Sequence, residues 1–328
     1  MKPRFCSRIA AIVITGLVFL VPLSATAEIE IKAVSFVPKD HKLCAMIPTW
    51  IERVNAALKG SVKVTWVGGP EVMAPFNQPE AVRKGLFQLG FIPAAYYGSL
   101  LPEADAISLS KLDFKQERAK GGLFDYMVER HKKINMMFLG TWLYDPFYLY
   151  VTKPALKLED LKGRRLRTAA KYDKMMKTLG IVPVTMEFGE TYTGLQRGVV
   201  EGFGWSTLGP RDNGWLDSVK YIIDIPFYAR QNTFILMNLD TWNKLPKDAQ
   251  GKITDITIKF EQDMKTYFDK AIEAEKKEME KVGVRRLKLS PEDTKKYLEA
   301  ADNSAWDDLE RKVPDQVKTL QKLTGSRP

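Results

Sequence analysis

Cysteine and histidine are both scarce in this chain, which has two of each among 328 residues. Cys6 and Cys44 are far apart, as are His41 and His131, so neither pair has the short spacing of a zinc site. The sequence also lacks an H-E-x-x-H motif, a G-x-S-x-G motif and a phosphate-binding loop. We therefore predict no catalytic centre, no metal site and no cofactor. The basic stretch RHKK around His131 predicts a solvated helix end.

Long apolar runs are also rare, and the one that stands out, Ile9 to Leu23, lies near the start of the chain. Basic residues precede it and the small residues SATA follow it, which predicts a secretory signal peptide over residues 1–27. A transmembrane anchor would need about 20 apolar residues. A lipid anchor is not indicated, because Cys6 precedes the apolar run. We expect a soluble periplasmic protein that keeps Cys44 as its single thiol and has no internal disulfide.

Net charge and chain length limit the kinds of partner and the number of domains to be expected. The formal net charge is +10, and the three signal-peptide cations Lys2, Arg4 and Arg8 leave +7 for the mature chain. Export and the absence of a recognisable motif argue against nucleic-acid binding. The mature chain of about 300 residues is too long for one ordinary core, so two domains are expected.

Short β-rich runs alternate with amphipathic helices, a pattern typical of α/β proteins. From Lys247 to Val282 the pattern is helical, and Ser290 with Pro291 begins a further helix. So long a helix near the end of the chain indicates a brace across both domains. Strands are predicted over Ile29–Phe36, Val62–Val67, Leu86–Ile92, Phe147–Val151, Arg165–Thr168, Val199–Gly202 and Phe234–Asn238.

Three sequence blocks stand out in the middle of the chain. Residues 160–167 read DLKGRRLR, residues 179–186 read LGIVPVTM and residues 190–202 read ETYTGLQRGVVEG. In order and spacing they resemble the DctP-type solute-binding proteins of tripartite ATP-independent periplasmic (TRAP) transporters. The resemblance implies an α/β, two-domain periplasmic binding protein of the Venus-flytrap type, with crossing strands and a long bracing C-terminal helix. It also implies that the protein is not an enzyme.

Arg167 ends the first of these blocks. Taken alone, an arginine at the end of a strand is more often a surface or ion-pair residue than a ligand residue. The resemblance implies the ligand role, because the arginine at this position in the family pairs with the carboxylate of the ligand. A guanidinium suits that role, since it is always charged and can hold both carboxylate oxygens. Phe188 matches a family aromatic that packs against bound ligand.

The sequence departs from the sialic-acid-binding members of the family at several ligand positions. A second arginine and an asparagine of that type fall on Phe147 and Trp205, and other polar positions fall near Phe36, Pro93 and Tyr96. Such a pocket would leave the hydroxyls of a sugar acid unpaired, at about 1–3 kcal/mol each. We therefore predict a monocarboxylate with an aromatic or otherwise apolar tail. The alternative is that some of these aromatic residues are simply core.

Matching the blocks to the family places residues 28–147 and 231–270 in domain I, and residues 148–230 and 271–328 in domain II. Closure of the two domains on the ligand would present a surface to the small and large TRAP membrane subunits. A binding protein for an ABC importer is disfavoured by the same blocks. A periplasmic ligand-sensing protein or an enzyme built on the same cleft is the alternative function. Neighbouring genes for multi-span membrane proteins would favour transport, and a neighbouring sensor kinase would favour signalling.

Overall fold

A computed structural model describes residues 28–168 and 171–326 of the chain. The predicted signal peptide, residues 1–27, lies outside the described residues. Within the described part, no helix is both long enough and apolar enough to cross a membrane.

Strands and helices alternate through most of the described chain, as the hydrophobic pattern predicts. The strands are β1 (Ile29–Ser35), β2 (Val62–Gly68), β3 (Leu89–Pro93), β4 (Met136–Thr141), β5 (Phe147–Val151), β6 (Arg165–Thr168), β7 (Val182–Thr185), β8 (Gly202–Ser206), β9 (Tyr221–Ile223), β10 (Thr233–Asn238) and β11 (Arg285–Leu287). The α-helices are α1 (Ile47–Ala57), α2 (Gln78–Arg83), α3 (Phe114–Glu117), α4 (Leu123–Lys132), α5 (Asp173–Thr178), α6 (Thr191–Gln196), α7 (Leu239–Lys244), α8 (Lys247–Lys281), α9 (Pro291–Lys312) and α10 (Pro314–Leu323).

These strands form two sheets. The first has the order β2-β1-β3-β10-β4, and the second has the order β11-β9-β5-β8-β6-β7. In the first sheet β1 runs parallel to β2 and β3, and β10 runs antiparallel to β3 and β4. The chain crosses to the second sheet between β4 and β5 and returns between β9 and β10. The predicted α/β fold with crossing strands is therefore confirmed.

Helix α8 joins the two sheets. It follows β10 of the first sheet and precedes β11 of the second, and its 35 residues span roughly 50 Å. One face carries buried side chains at helical spacing, among them Phe260, Met264 and Phe268. The indole of Trp50 in α1 donates a hydrogen bond to Thr257 Oγ1 of α8 at 3.0 Å, which fixes α1 against α8. The predicted bracing helix is present.

The two C-terminal helices, α9 and α10, contact segments of both predicted domains. Helix α9 begins at Pro291, and Ser290 caps it by accepting the backbone N–H of Asp293, as predicted. It packs on α5, and both α9 and α10 pack on the segment that precedes α3. Lys111 of that segment donates its backbone N–H to the carbonyl of Thr324 at 2.8 Å. The tail thus touches segments assigned to both predicted domains, and the domain limits stay a prediction.

The predicted strand Val199–Gly202 is wrong in its position, because β8 begins where that prediction ends. The backbone N–H groups of Val199 and Val200 donate to the carbonyl of Gly194 at 2.9 and 3.3 Å, and so terminate α6. Groups used in this way are not free for a sheet ladder. Gly202 then starts β8, where a Cβ atom would overlap the carbonyl oxygen of Tyr150.

The prediction that His131 marks a solvated helix end is also wrong. Its side chain is fully buried, stacks on Phe138 at 5.2 Å and forms a 2.9 Å hydrogen bond with the Tyr97 hydroxyl. Leu123, Met127 and His131 follow one another at four-residue spacing, so they share the buried face of α4. The basic neighbours of His131 lie on other faces of the helix.

Because His131 is buried, it should make the free energy of unfolding depend on pH. Desolvation lowers the pKa of the folded-state imidazole from 6.5 to about 4, so the unfolded chain binds more protons between these values. The contribution of this group is complete above pH 6.5 and is lost as the pH falls toward 4. From pH 7 to pH 4.5, wild type should lose about 2–3 kcal/mol more unfolding free energy than His131→Gln. Urea titrations at both pH values measure this, and equal losses would contradict it.

Cys44 is a free, buried thiol in the segment between β1 and α1. Burial raises its pKa to about 12, so the reactive thiolate is almost absent at neutral pH.

Candidate functional site

A cavity lies between the two sheets and is lined by residues of both. Five of the six predicted site residues line it. Phe36 follows β1 and Tyr96 follows β3 in the first sheet. Phe147 begins β5, Arg167 lies in β6 and Trp205 lies in β8 of the second sheet. The ends of strands that are distant in the sequence therefore bring these side chains together.

Arg167 is held between β7 and β8 in the second sheet and lines the cavity. Its backbone is in register with Val184 of β7 and Phe203 of β8. Only 1% of the residue is exposed, and none of its three guanidinium nitrogens has a hydrogen-bond partner among the described residues. Its guanidinium carbon lies 5.1 Å from the centre of the Trp205 ring. A buried cation without a partner is strongly unfavourable, so this position is suited to an anion.

The walls around Arg167 are aromatic. The ring of Phe147 lies 6.5 Å from Trp205 and 5.9 Å from Tyr172, and the rings of Phe36 and Tyr96 meet edge to face at 5.9 Å. Trp205 Nε1 donates to the carbonyl of Leu208, and the Tyr172 hydroxyl donates to the carbonyl of Gly204. Because the polar atoms of these two side chains are already bonded to the protein, their rings offer apolar surface to a ligand.

The structure places Phe188 behind the cavity wall, outside the set of lining residues. Its ring lies 5.7 Å from Trp205, 5.5 Å from Trp215 and 5.3 Å from His41. In this position Phe188 contacts the indole of Trp205 but is not among the residues that line the cavity.

Sequence reasoning missed about half of the cavity lining. Four of the missed residues belong to the irregular segment between β9 and β10, where three consecutive polar residues precede an apolar strand. That polar run was the one available signal. Gln231 is 5% exposed, and its Nε2 has no hydrogen-bond partner among the described residues, so it offers a ligand a second donor. The missed residues are Ala95, Lys171, Tyr172, Tyr228, Arg230, Gln231 and Asn232.

Two further cations line the cavity, and both have partners. Lys171 Nζ donates to Ser108 Oγ at 2.7 Å and lies 3.5 Å from Asp105 Oδ1. Burial lowers the pKa of Lys171 to about 8, and Asp105 opposes that shift. Arg230 is buried, donates twice to the carbonyl of Ile107 at 3.1 and 3.0 Å, and pairs with Glu117. Lys171, which follows β6, and Arg230, in the second crossing segment, are therefore both bound to the part of the chain between β3 and α4.

Asp145 fixes one end of β8 to the first crossing segment. Its fully buried carboxylate accepts the backbone N–H groups of Thr207 at 3.0 Å and Leu208 at 2.8 Å. Burial raises its pKa to about 7, against the effect of these two hydrogen bonds. Trp205 lies two residues before this anchor, so Asp145 helps to hold the indole in place.

An ion-pair cluster of Lys42, Arg211, Asp212 and Glu275 joins the two sheets. Lys42 follows β1, and its Nζ lies 2.8 Å from both Asp212 Oδ2 and Glu275 Oε2. Arg211 follows β8 and contacts Glu275 Oε1 at 2.8 Å. Burial alone would raise the pKa of Glu275, but the bonds from Arg211 and Lys42 hold it below its ordinary value. The cluster stabilises the arrangement in which the two sheets lie close together.

Comparison with known proteins identifies the family. The model of the family DctP, described as bacterial extracellular solute-binding protein, family 7, matches residues 34–312. A monocarboxylate 2-oxoacid-binding periplasmic protein of Nostoc sp. is 24% identical over 239 residues, which cover 67% of this chain and 63% of that protein. The residues matched by the family model include every residue that lines the cavity.

Solved structures share the fold at low sequence identity. A TRAP periplasmic solute-binding protein of Desulfovibrio salexigens with bound orotic acid has a TM-score of 0.83 and 19% identity, covering 91% of this chain and 98% of that chain. An extracytoplasmic solute receptor of Bordetella pertussis that binds pyroglutamic acid has a TM-score of 0.79 and 20% identity, covering 90% and 99%. As the three sequence blocks predicted, the chain belongs to the DctP family of bacterial extracellular solute-binding proteins.

Proposed function

We propose that this protein captures a small monocarboxylate with an aromatic or apolar tail in the periplasm and delivers it to the small and large membrane subunits of a TRAP transporter. The observation that carries the proposal is Arg167, a buried guanidinium without a partner among the described residues, inside a cavity with aromatic walls. A ligand carboxylate would accept two parallel hydrogen bonds from this side chain.

The cavity chemistry also supports the kind of ligand body. The rings of Trp205, Phe147 and Tyr172 favour a flat or apolar group, and Gln231 can bond one further polar atom of it. Orotic acid and pyroglutamic acid, found in the two structurally similar proteins, each carry one carboxyl group on a small ring. The relative from Nostoc is likewise named for monocarboxylates.

Capture would be coupled to closure of the cleft. The ligand would contact Arg167 and Trp205 of the second sheet together with Phe36 and Tyr96 beside the first. Contacts from both sides favour the arrangement in which the sheets are close, so binding energy stabilises the closed form. The closed form is then the one that the membrane subunits would recognise.

A thermal-shift screen of the purified protein tests this function. It compares benzoate, phenylacetate, orotate and pyroglutamate with glucuronate and succinate. A ligand at about 100 times its dissociation constant adds about 2.7 kcal/mol of stability, a shift of roughly 5 °C or more. We expect shifts from benzoate, phenylacetate, orotate and pyroglutamate, and none from the polyhydroxylated glucuronate or from succinate. Shifts from glucuronate or succinate alone would overturn the proposed ligand class, and no shift from any acid would argue against carboxylate capture.

A further inference from the structure

The three cations that line the cavity are not equivalent. Lys171 has the carboxylate of Asp105 beside it, and Arg230 has the carboxylate of Glu117. Arg167 has no such partner among the described residues. The three cations that line the cavity and the two carboxylates paired with them therefore sum to one positive charge, which a ligand can neutralise.

Asp105 is held firmly in its position. Asn232 Nδ2 donates to Asp105 Oδ1 at 2.5 Å, and Lys171 approaches the same oxygen at 3.5 Å. Asp105 is absent from the cavity lining, whereas Lys171 and Asn232 belong to it. The carboxylate thus stands behind the lysine and competes with any ligand anion for it.

We propose that Asp105 is a specificity-determining residue that restricts the cavity to ligands with one carboxylate, because it neutralises Lys171. This inference rests on the proposed function of carboxylate capture. Glu117 is less suited to the same role, since Arg230 would remain bound to the carbonyl of Ile107 without it. Among the described residues, Lys171 otherwise donates to the Ser108 hydroxyl and lies 4.9 Å from the centre of the Tyr228 ring, and neither group carries a negative charge. Removal of the Asp105 charge would therefore make Lys171 available to a second carboxylate.

The test compares benzoate with its dicarboxylate counterparts terephthalate and isophthalate, by calorimetry at pH 6.5. Asp105→Asn keeps an oxygen that can accept from Asn232, but it removes the charge. We expect at least one dicarboxylate to gain roughly tenfold or more in affinity relative to benzoate. The double variant Asp105→Asn with Lys171→Met should lose that gain. Asp248→Asn, an exposed change of the same type, should leave all affinities unchanged.

The possible results separate the role of Asp105 from the proposed function. Arg167-dependent benzoate binding with no dicarboxylate gain in Asp105→Asn would overturn the role of Asp105 and leave the proposed function standing. Equal binding of benzoate and terephthalate by wild type would overturn it as well, and absence of benzoate binding would overturn both proposals. If Asp105→Asn does not fold, Lys171→Met supplies the test. It leaves Asp105 uncompensated, so benzoate affinity should fall roughly tenfold, and an unchanged affinity would contradict the inference.

Discussion

Replacement of Arg167 by methionine should weaken benzoate binding by about 30-fold or more and, at the same time, stabilise the ligand-free protein. Loss of one partner from a buried charge pair costs about 2–5 kcal/mol of binding free energy, which corresponds to this loss of affinity. The ligand-free protein instead loses a buried charge that has no partner among the described residues, so its unfolding free energy should rise by about 1 kcal/mol or more. Calorimetry with benzoate and urea titration without ligand measure the two effects.

The opposite signs of these effects separate a ligand residue from a structural one. If Arg167 held the fold together, its loss would lower stability, and that result would contradict the ligand role. Arg165→Met is the matched control. It lies two residues away on the same strand and is exposed, and its guanidinium donates to the carbonyl of Gly198 at 2.9 Å. Benzoate affinity should be unchanged in this variant.

The largest loss of stability is expected from Arg118→Met, which isolates a buried carboxylate of α8. Glu261 is 3% exposed and accepts from Arg118 Nε at 2.6 Å and from the backbone N–H of Thr141 at 2.8 Å. Thr141 ends β4, where the chain leaves the first sheet. Removal of one partner of a buried pair costs about 3–5 kcal/mol. Urea titration at pH 7 should show a loss of this size.

An exposed ion pair on the same helix provides the comparison. Lys252 lies one turn after Asp248 and contacts it at 2.8 Å, with about half of the lysine side chain exposed. Lys252→Met should cost no more than about 0.5 kcal/mol, since exposed pairs contribute little. Similar losses of unfolding free energy in Arg118→Met and Lys252→Met would mean that the buried carboxylate of Glu261 does not need Arg118 as its partner.

Local patterns were sufficient for much of the fold. The helix predicted to end at Val282 ends one residue earlier, and the cap at Ser290 is where the sequence places it. Both features depend on neighbours along the chain. The position of β8 was not predictable in the same way, because Val199 and Val200 use their N–H groups to end α6 rather than to form a strand.

The site was predictable only in part, for a related reason. Arg167 and Trp205 lie on regular strands, so counting from the sequence blocks reaches them. Lys171 and Gln231 lie in irregular segments, and their place in the cavity depends on how the two sheets pack together. His131 shows the converse error, since its charged neighbours in the sequence concealed a position on the buried face of α4.

The shielding of Cys44 has a practical consequence for distance measurements. Because that thiol is buried and its pKa is raised to about 12, it should not compete for thiol-directed labels in the folded protein. Cysteines introduced at the exposed positions Lys63 on β2 and Arg197 after α6 would then carry a pair of spin labels or fluorophores, one beside each sheet. The separation of the labels would report the width of the cleft directly, without replacement of Cys44.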